Sequence, residues 1–252
     1  MTSRIYIYSL NFEGYTPQPY DLRDFFFPYY SFAYFLEGEA LIDVEGKNIL
    51  LGPGQFILIP ENHHLQVKYF KDVKVIAGTF LLDDLKDASH PALRSDTPIV
   101  HSFWFEDAVF MGSLLQRMFV AFTDRDKGFL QSALDLILTQ LHGNSRVAAI
   151  PEKFLQLVFA NDKAPLSVSE YADELKVTAN YLNKTVKAHT HRTAIDWIEI
   201  ARLNLAKKLL KDKNLSVLEV AVQAGVEDQS YFSRFFKKQT GMTPSEFRKS
   251  SK

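Results

Sequence analysis

Between residues 4 and 81 the apolar positions come in short runs, RIYIYS, LRDFFF, SFAYFLE, ALIDV, QFILI, LQVKYF and VKVIAGTF. Runs of this length, rich in Tyr, Phe, Ile and Val, predict β-strands. Turn signals at Glu45-Gly46 and Gly52-Pro53-Gly54 fall between them, and many short strands at such spacing predict a sandwich or small barrel. After a loop rich in Pro, Asp and Ser over 83–98, the period changes to a helical one in EDAVFMGSLLQRMFVAFTD and GFLQSALDLILTQLH, where Leu130, Leu134, Ile137 and Leu141 form one stripe. Phe110, Met111, Leu114, Leu115, Met118, Phe119 and Phe122 cover well over 100° of the first of these helices. That is more than one packed face needs. The excess predicts a subunit interface through 106–141, with burial inside a single chain as the alternative.

The C-terminal region repeats itself. LSVSEYADELKV (166–177) lies over LSVLEVAVQAGV (215–226) at an offset of 49, with six of twelve positions identical. Glu227 then shifts the offset to 50, and NYLNKTVKAHTHRT (180–193) lies over SYFSRFFKKQTGMT (230–243), where Tyr, Lys and two Thr coincide. Each copy opens with a capping box, Ser167-x-x-Glu170 or Ser216-x-x-Glu219, which starts a helix by satisfying two otherwise unpaired amides. A tight turn follows about eight residues on, with Gly225 supplying a positive φ in the second copy, and Thr178 or Asp228 then caps a second helix. The pattern is a helix-turn-helix made twice.

A wheel at about 100° per residue divides the second helix of each copy into two faces. In one, Phe232, Phe235 and Phe236 point inward, and Ser230, Ser233, Arg234 and Lys237 share the far arc with Gln229 at its margin. In the other, Leu182, Thr185 and Val186 point inward, and Asn180, Asn183, Lys184 and Lys187 point out. Short amides, hydroxyls and an arginine reach base edges in a major groove, and lysines neutralise phosphates. Together with the cap Thr178, these residues are the candidate DNA contacts; a solvated basic face is the alternative, weakened by its appearing twice. Between the copies, IEIARLNLAKKLLKD (198–212) predicts a connecting helix with Leu203, Ala206, Leu209 and Leu210 on an inward stripe. A rigid connector would hold the two recognition helices about 34 Å apart, one turn of DNA.

Charge sharpens this division. The net of −1 conceals 12 basic against 18 acidic residues over 1–150 and 17 against 12 over 151–252, so a polyanion partner is expected for the C-terminal third alone. A length of 252 residues suits two domains. With no cysteine, disulfides, thiolate zinc sites and cysteine nucleophiles are excluded, and with no long apolar run or signal sequence the expected location is cytoplasmic, without membrane contact. His63 and His64 are adjacent in an expected strand, so they point to opposite faces and cannot readily share one ion. No metal or other cofactor is expected. The nine Phe and eight Tyr of residues 1–81 suit a barrel core or the walls of a pocket for an apolar effector; Tyr30, Tyr34 and His64 are the candidate polar groups of such a pocket.

Residues 225–248, GVEDQSYFSRFFKKQTGMTPSEFR, resemble the AraC/XylS-type transcriptional regulators, with the turn glycine, S-Y-F-S-R, F-K-K, T-G and T-P-S-x-F-R of that family. The resemblance extends over roughly 153–248. Val226 departs from the family's usual Phe, and His191 stands where Gly often ends the first unit, so a strained left-handed cap is expected there. The resemblance implies a DNA-binding domain of two helix-turn-helix units joined by a long helix, used to control transcription. Gly38, Gly46, Gly52, Gly54, Pro60 and His64, in LEGEALIDVEGKNILLGPGQFILIPENHH, are similar to the turns of the family's cupin-type sensor domain; the H-x-H pair of metal-dependent cupins is missing from FFFPYYSFAYFLEGE. The expected fold class is therefore α+β in two domains, a cupin-like β-barrel followed by helices and then an all-α domain. The expected boundaries are 1–145 (β-rich 1–82, helical 104–143), a linker over 146–164 and the DNA-binding domain over 165–252. The expected function is ligand-responsive regulation of transcription on promoter DNA by a homodimer, with RNA polymerase as partner if it activates. Two alternatives remain: a regulator whose N-terminal domain only dimerises or binds a protein, and a cupin-type enzyme.

Overall fold

A computed structural model describes residues 5–15, 24–102, 105–141, 150–160 and 163–250. These fall into two compact units, one holding 5–15, 24–45 and 50–141, the other 46–49 and the described residues from 150 onward.

The first unit is built on a seven-stranded sheet of β1 (Tyr6–Tyr15), β2 (Asp24–Phe27), β3 (Tyr30–Val44), β4 (Lys47–Leu51), β5 (Gln55–Ile59), β6 (His63–Phe80) and β7 (Ile99–Ser102). The strand order is β1-β6-β3-β5-β7, with β2 also paired to β6 and β4 to β3. Four of the runs that the sequence separates merge into two long strands, β3 and β6. The reason is local: register shifts fall at Phe35/Glu37, Glu37/Glu39 and Leu41/Ile42, and Gly38 has φ +75° opposite Asp72 at φ +45°. A bulge absorbs the extra residues and bends the pair without ending it. Beyond β6, the stretch expected as plain loop holds two short 3₁₀ turns, Leu82–Asp84 and Pro91–Arg94, and leads into β7.

Alternation along β3 sends Tyr30, Phe32 and Tyr34 to the side occupied by Phe56 and Leu58 of β5 and Ile76 and Phe80 of β6. Against this face pack Met111, Leu115 and Met118 of α1 (Phe105–Thr123) and Leu130, Leu134, Ile137 and Leu138 of α2 (Lys127–Gln140). The ring pairs Phe32–Phe56 and Tyr30–Phe80 stack at 5.5 Å. Of the wide apolar stripe on α1, Leu114 and Phe122 are partly buried, whereas Phe110 and Phe119 are exposed together with Val109 and Val120.

The second unit holds α3 (Ile150–Phe159), α4 (Val168–Glu174), α5 (Ala179–Thr190), α6 (Ala194–Leu210), α7 (Val217–Gln223), α8 (Gln229–Thr240) and α9 (Pro244–Ser250). Two differences from the sequence reading stand out. The segment expected as linker carries α3, whose Phe154 meets Tyr171 edge-on at 5.5 Å and whose Phe159 meets Trp197 at 6.2 Å. The connecting helix starts at 194 and not at 198, because Thr193 and Asp196 form a capping box of their own. The offset of 50 therefore runs on: Thr193 caps α6 as Thr243 caps α9, through reciprocal bonds to Asp196 and Glu246. Trp197 and Phe247 are buried at equivalent places. The repeated unit is thus three helices, α4-α5-α6 and α7-α8-α9.

An added Cβ at Gly38 would lie 2.1 Å from the carbonyl oxygen of Asp72, whereas one at Gly46, also at positive φ, would meet nothing within 4 Å. Gly46→Ala should therefore carry only the conformational cost, about 1–3 kcal/mol, and Gly38→Ala should be clearly worse because the β3–β6 backbone pairing must also shift. Chemical denaturation checks this; equal losses in the two variants would contradict the bulge as a tight backbone approach.

Candidate nucleic-acid interface

The two candidate recognition helices, α5 and α8, are placed by their caps. Ser167 and Ser216 form the expected capping boxes at the starts of α4 and α7. The Thr178 hydroxyl accepts from the Tyr181 amide at 3.2 Å, and the Asp228 carboxylate accepts from Ser230 and Tyr231 at 2.7 and 3.0 Å. Gly225 makes the second turn at φ +80°, and in the first unit Lys176 takes the left-handed conformation at φ +57°. At the far ends, His191 and Gly241 are both left-handed, at φ +57° and +77°. His191 thus adopts a conformation that suits glycine better.

Helical phase then sorts the side chains. Phe232, Phe235 and Phe236 are buried, with Phe236 edge-on to Phe247 at 5.3 Å. Gln229, Ser230, Arg234 and Lys237 are exposed, and Ser233 is half-buried at the edge of the arc. On α5, Leu182 and Val186 are buried, Thr185 is half-buried, and Asn180, Lys184 and Lys187 are exposed. Helix α5 has no aromatic residue on its buried face, and the helices that adjoin it, α3 and α6, bury Phe154, Phe159 and Trp197.

Two expected DNA contacts are engaged within the protein. The Asn183 side chain is half-buried, and its Oδ1 accepts from the Ala194 amide at 3.0 Å, tying α5 to the start of α6. Thr178 is exposed, but its hydroxyl oxygen already caps α5. Other exposed side chains on the same helices belong to neither face of the sequence reading, among them Tyr181 and His189 on α5 and Tyr231 and Lys238 on α8. For the tyrosines the signal was their identity at offset 50.

Helix α6 holds both units. The Trp197 indole donates to Thr190 Oγ1 at 2.8 Å near the end of α5, Arg202 Nε donates to the Ala224 carbonyl at the end of α7 at 3.0 Å, and Arg248 Nε of α9 donates to the Leu210 carbonyl at 3.3 Å.

The candidate effector groups do not converge. The Tyr30 hydroxyl donates to the Leu93 carbonyl and the Tyr34 hydroxyl to that of Ala108, each at 2.9 Å, so both phenols are bonded into the packed core. Burial raises the pKa of both, helped at Tyr30 by Glu61 and Asp96. His64 is exposed, with its ring 5.0 Å from that of Phe26. His63 faces elsewhere, its ring nitrogens 2.9 and 3.1 Å from the carbonyls of Glu61 and Asp96. Among the described residues, no cluster of His, Asp and Glu is placed to hold a metal ion, and no helix is long and apolar enough to cross a membrane.

Paired capping boxes and two short turns thus place exposed polar side chains on α5 and α8, on either side of α6. Residues 171–250 match a family described as "Helix-turn-helix domain". The transcriptional activator RhaR of Escherichia coli K12 is 29% identical over 97 residues, 38% of this chain and 34% of RhaR. The match thus spans about a third of that relative. The C-terminal domain of AraT, a response regulator of Geobacillus stearothermophilus, is 28% identical over 42% of this chain and 88% of that one, with a TM-score of 0.38. ToxT of Vibrio cholerae, solved with an unsaturated fatty acid bound, is 17% identical over 97% of this chain and 94% of that one, with a TM-score of 0.35. The C-terminal part of the chain is thus similar to AraC-type helix-turn-helix domains.

Asp228, Glu170, Glu219 and Glu246 are all held below the ordinary carboxylate range, Asp228 chiefly by the amides of Tyr231 and Ser230, the glutamates chiefly by those of Ser167, Ser216 and Thr243. A depressed folded-state pKa contributes stability that is present above the unfolded value, about 4, and is lost as pH falls through the folded value. The Tm should therefore fall as pH drops from about 5 towards 3, and the double variant Glu170→Gln, Glu219→Gln should show a flatter dependence. An unchanged slope in that variant would contradict the capping role.

Proposed function

We propose that the protein is a sequence-specific DNA-binding transcriptional regulator whose two recognition helices, α5 and α8, enter successive major grooves. The observation that carries this reading is the doubled arrangement itself, two capped helices at equivalent positions with Asn180, Lys184 and Lys187 exposed on one and Gln229, Ser230, Arg234 and Lys237 on the other. One polar helix face is common in any protein. Two related by a repeat, in the basic part of a chain with an acidic remainder, favour a polyanion of regular pitch.

Arg234 lies mid-arc, where a guanidinium reaches a base edge, and Lys237 lies one turn on, where an ammonium meets phosphate. Arg234→Ala should cost about 1–3 kcal/mol on a selected duplex and relax preference at one base pair, while Lys237→Ala should weaken all sequences and lower the salt slope by about 1. Titrations by fluorescence anisotropy over a salt series check both. Equal loss on selected and random DNA for Arg234→Ala would reassign that residue to phosphate.

The first unit is read as a cupin-like sensor and dimerisation domain of a cytoplasmic homodimer. Long bent strands and an aromatic core support the cupin-like part, and the exposed Val109, Phe110, Phe119 and Val120 on α1 support a second copy. Sedimentation at tens of micromolar should show a dimer that Phe110→Asp with Val120→Asp dissociates, and a strict monomer for the unaltered protein would remove this part of the reading. If the first unit responds to a small molecule, cell extract cleared of macromolecules should change DNA affinity; no change favours the alternative in which this unit only dimerises or binds a protein. Contact with RNA polymerase follows only if the protein activates, and promoter fusions with and without the gene decide that.

A further inference from the structure

We propose that Tyr181 and Tyr231 are matched phosphate contacts, one on each recognition helix, that fix how each helix seats in its groove. This rests on the DNA-binding reading above and adds to it two residues outside the polar arcs.

The two tyrosines occupy the same place in the repeat, the third position after the N-caps Thr178 and Asp228. They are 51% and 50% exposed, against complete burial of the Leu182 and Phe232 that follow them. A ring retained for packing alone would be expected to lie with the core residues, as Tyr171 does with its neighbour Phe154. Neither hydroxyl has a hydrogen-bond partner among the described residues. By contrast, the buried hydroxyls of Tyr30 and Tyr34 both donate to carbonyls. An exposed donor on a rigid ring is suited to an external acceptor.

The two rings lie in different surroundings. Tyr231 stacks on Phe235 with the planes 8° apart and centroids at 6.5 Å. Tyr181 borders a shallow groove formed with Ile150 and Pro151 of α3 and Thr185, Ala188 and His189 of α5. Arriving at the same exposure from unlike surroundings argues for a demand on the exposed end of the side chain.

Position on the helix chooses phosphate over base. At about 100° per residue, Tyr231 stands roughly 60° from Arg234 and further still from Ser230 and Lys237, and Tyr181 stands likewise from Lys184. That is the margin of the arc, facing the wall of the groove and not its floor, and the wall is lined by phosphates. A neutral hydroxyl donating to a phosphate oxygen forms a charge-assisted bond but displaces no counterion, so its removal should leave the salt dependence unchanged.

The test uses the full chain, a duplex selected from a random pool by the unaltered protein, and a random-sequence duplex of equal length. Tyr181→Phe and Tyr231→Phe remove only the hydroxyl and keep the ring, so the fold is retained. Each should bind both duplexes about three- to tenfold more weakly, by the same factor on each and with an unchanged salt slope. Full affinity in both variants, in an assay where Arg234→Ala weakens the selected duplex, would overturn the tyrosine contacts and leave the DNA-binding reading standing. A loss confined to the selected duplex would also overturn them, since it marks a base contact. No binding to either duplex by the unaltered protein would overturn both readings together.

Discussion

The burial of α6 is the constraint on which the C-terminal domain depends. Trp197, Ile198, Ile200, Ala201, Leu203, Leu205, Ala206, Lys207 and Leu210 are all buried, although the sequence led us to expect one inward stripe. A helix buried on so many sides belongs to the interior, and α6 adjoins α3, α4, α5, α7 and α9. It closes the first three-helix unit and supports the second. Trp197 fixes the end of α5 and Arg202 fixes the end of α7, so α5 and the helix that leads into α8 are referred to one rigid element. At 17 residues, α6 is about 25 Å long, shorter than the roughly 34 Å between successive major grooves. The remainder must come from the displacement of α5 and α8 away from its axis, or from bending of the duplex towards the protein.

The two units solve the same packing problem with different residues. In the second, the recognition helix brings its own aromatic anchors and ends on a glycine. In the first, α5 brings Leu182 and Val186, adjoins α3 and α6 with their buried aromatic rings, and ends on a histidine held left-handed. Thr190 and Thr240 close both helices alike, each hydroxyl bonding back to the carbonyl four residues before it. The outward positions are then presented in matching phase by unlike interiors.

Most of the second unit was legible because its signals are local. Capping boxes, the turn glycine and the helical period each concern residues within a turn or two, and the repeat allowed every feature to be seen twice. What escaped was what depends on distant partners. The α3 helix lies in a segment with little to mark it as part of the domain until Phe154 and Phe159 meet Tyr171 and Trp197. Asn183 sits on the outward arc by helical phase, yet the start of α6 comes close enough for its amide to claim that side chain. In the first unit, the gaps between the runs SFAYFLE and ALIDV and between LQVKYF and VKVIAGTF lie opposite each other and become a bulge inside two continuous strands. Tyr30 and Tyr34 are candidate pocket groups by sequence because a site needs a few polar atoms among apolar walls. Their partners are main-chain carbonyls of Leu93 and Ala108, which lie 63 and 74 residues away.

The central claim, that one chain offers two recognition helices to one face of a duplex, is tested most directly by guanine-N7 methylation protection on a selected duplex. Binding should protect guanines in two major-groove segments about 10 base pairs apart, and charge reversal at Lys184 with Lys187 should abolish one segment while Arg234→Ala weakens the other. A single protected segment that responds to both sets of substitutions would contradict it.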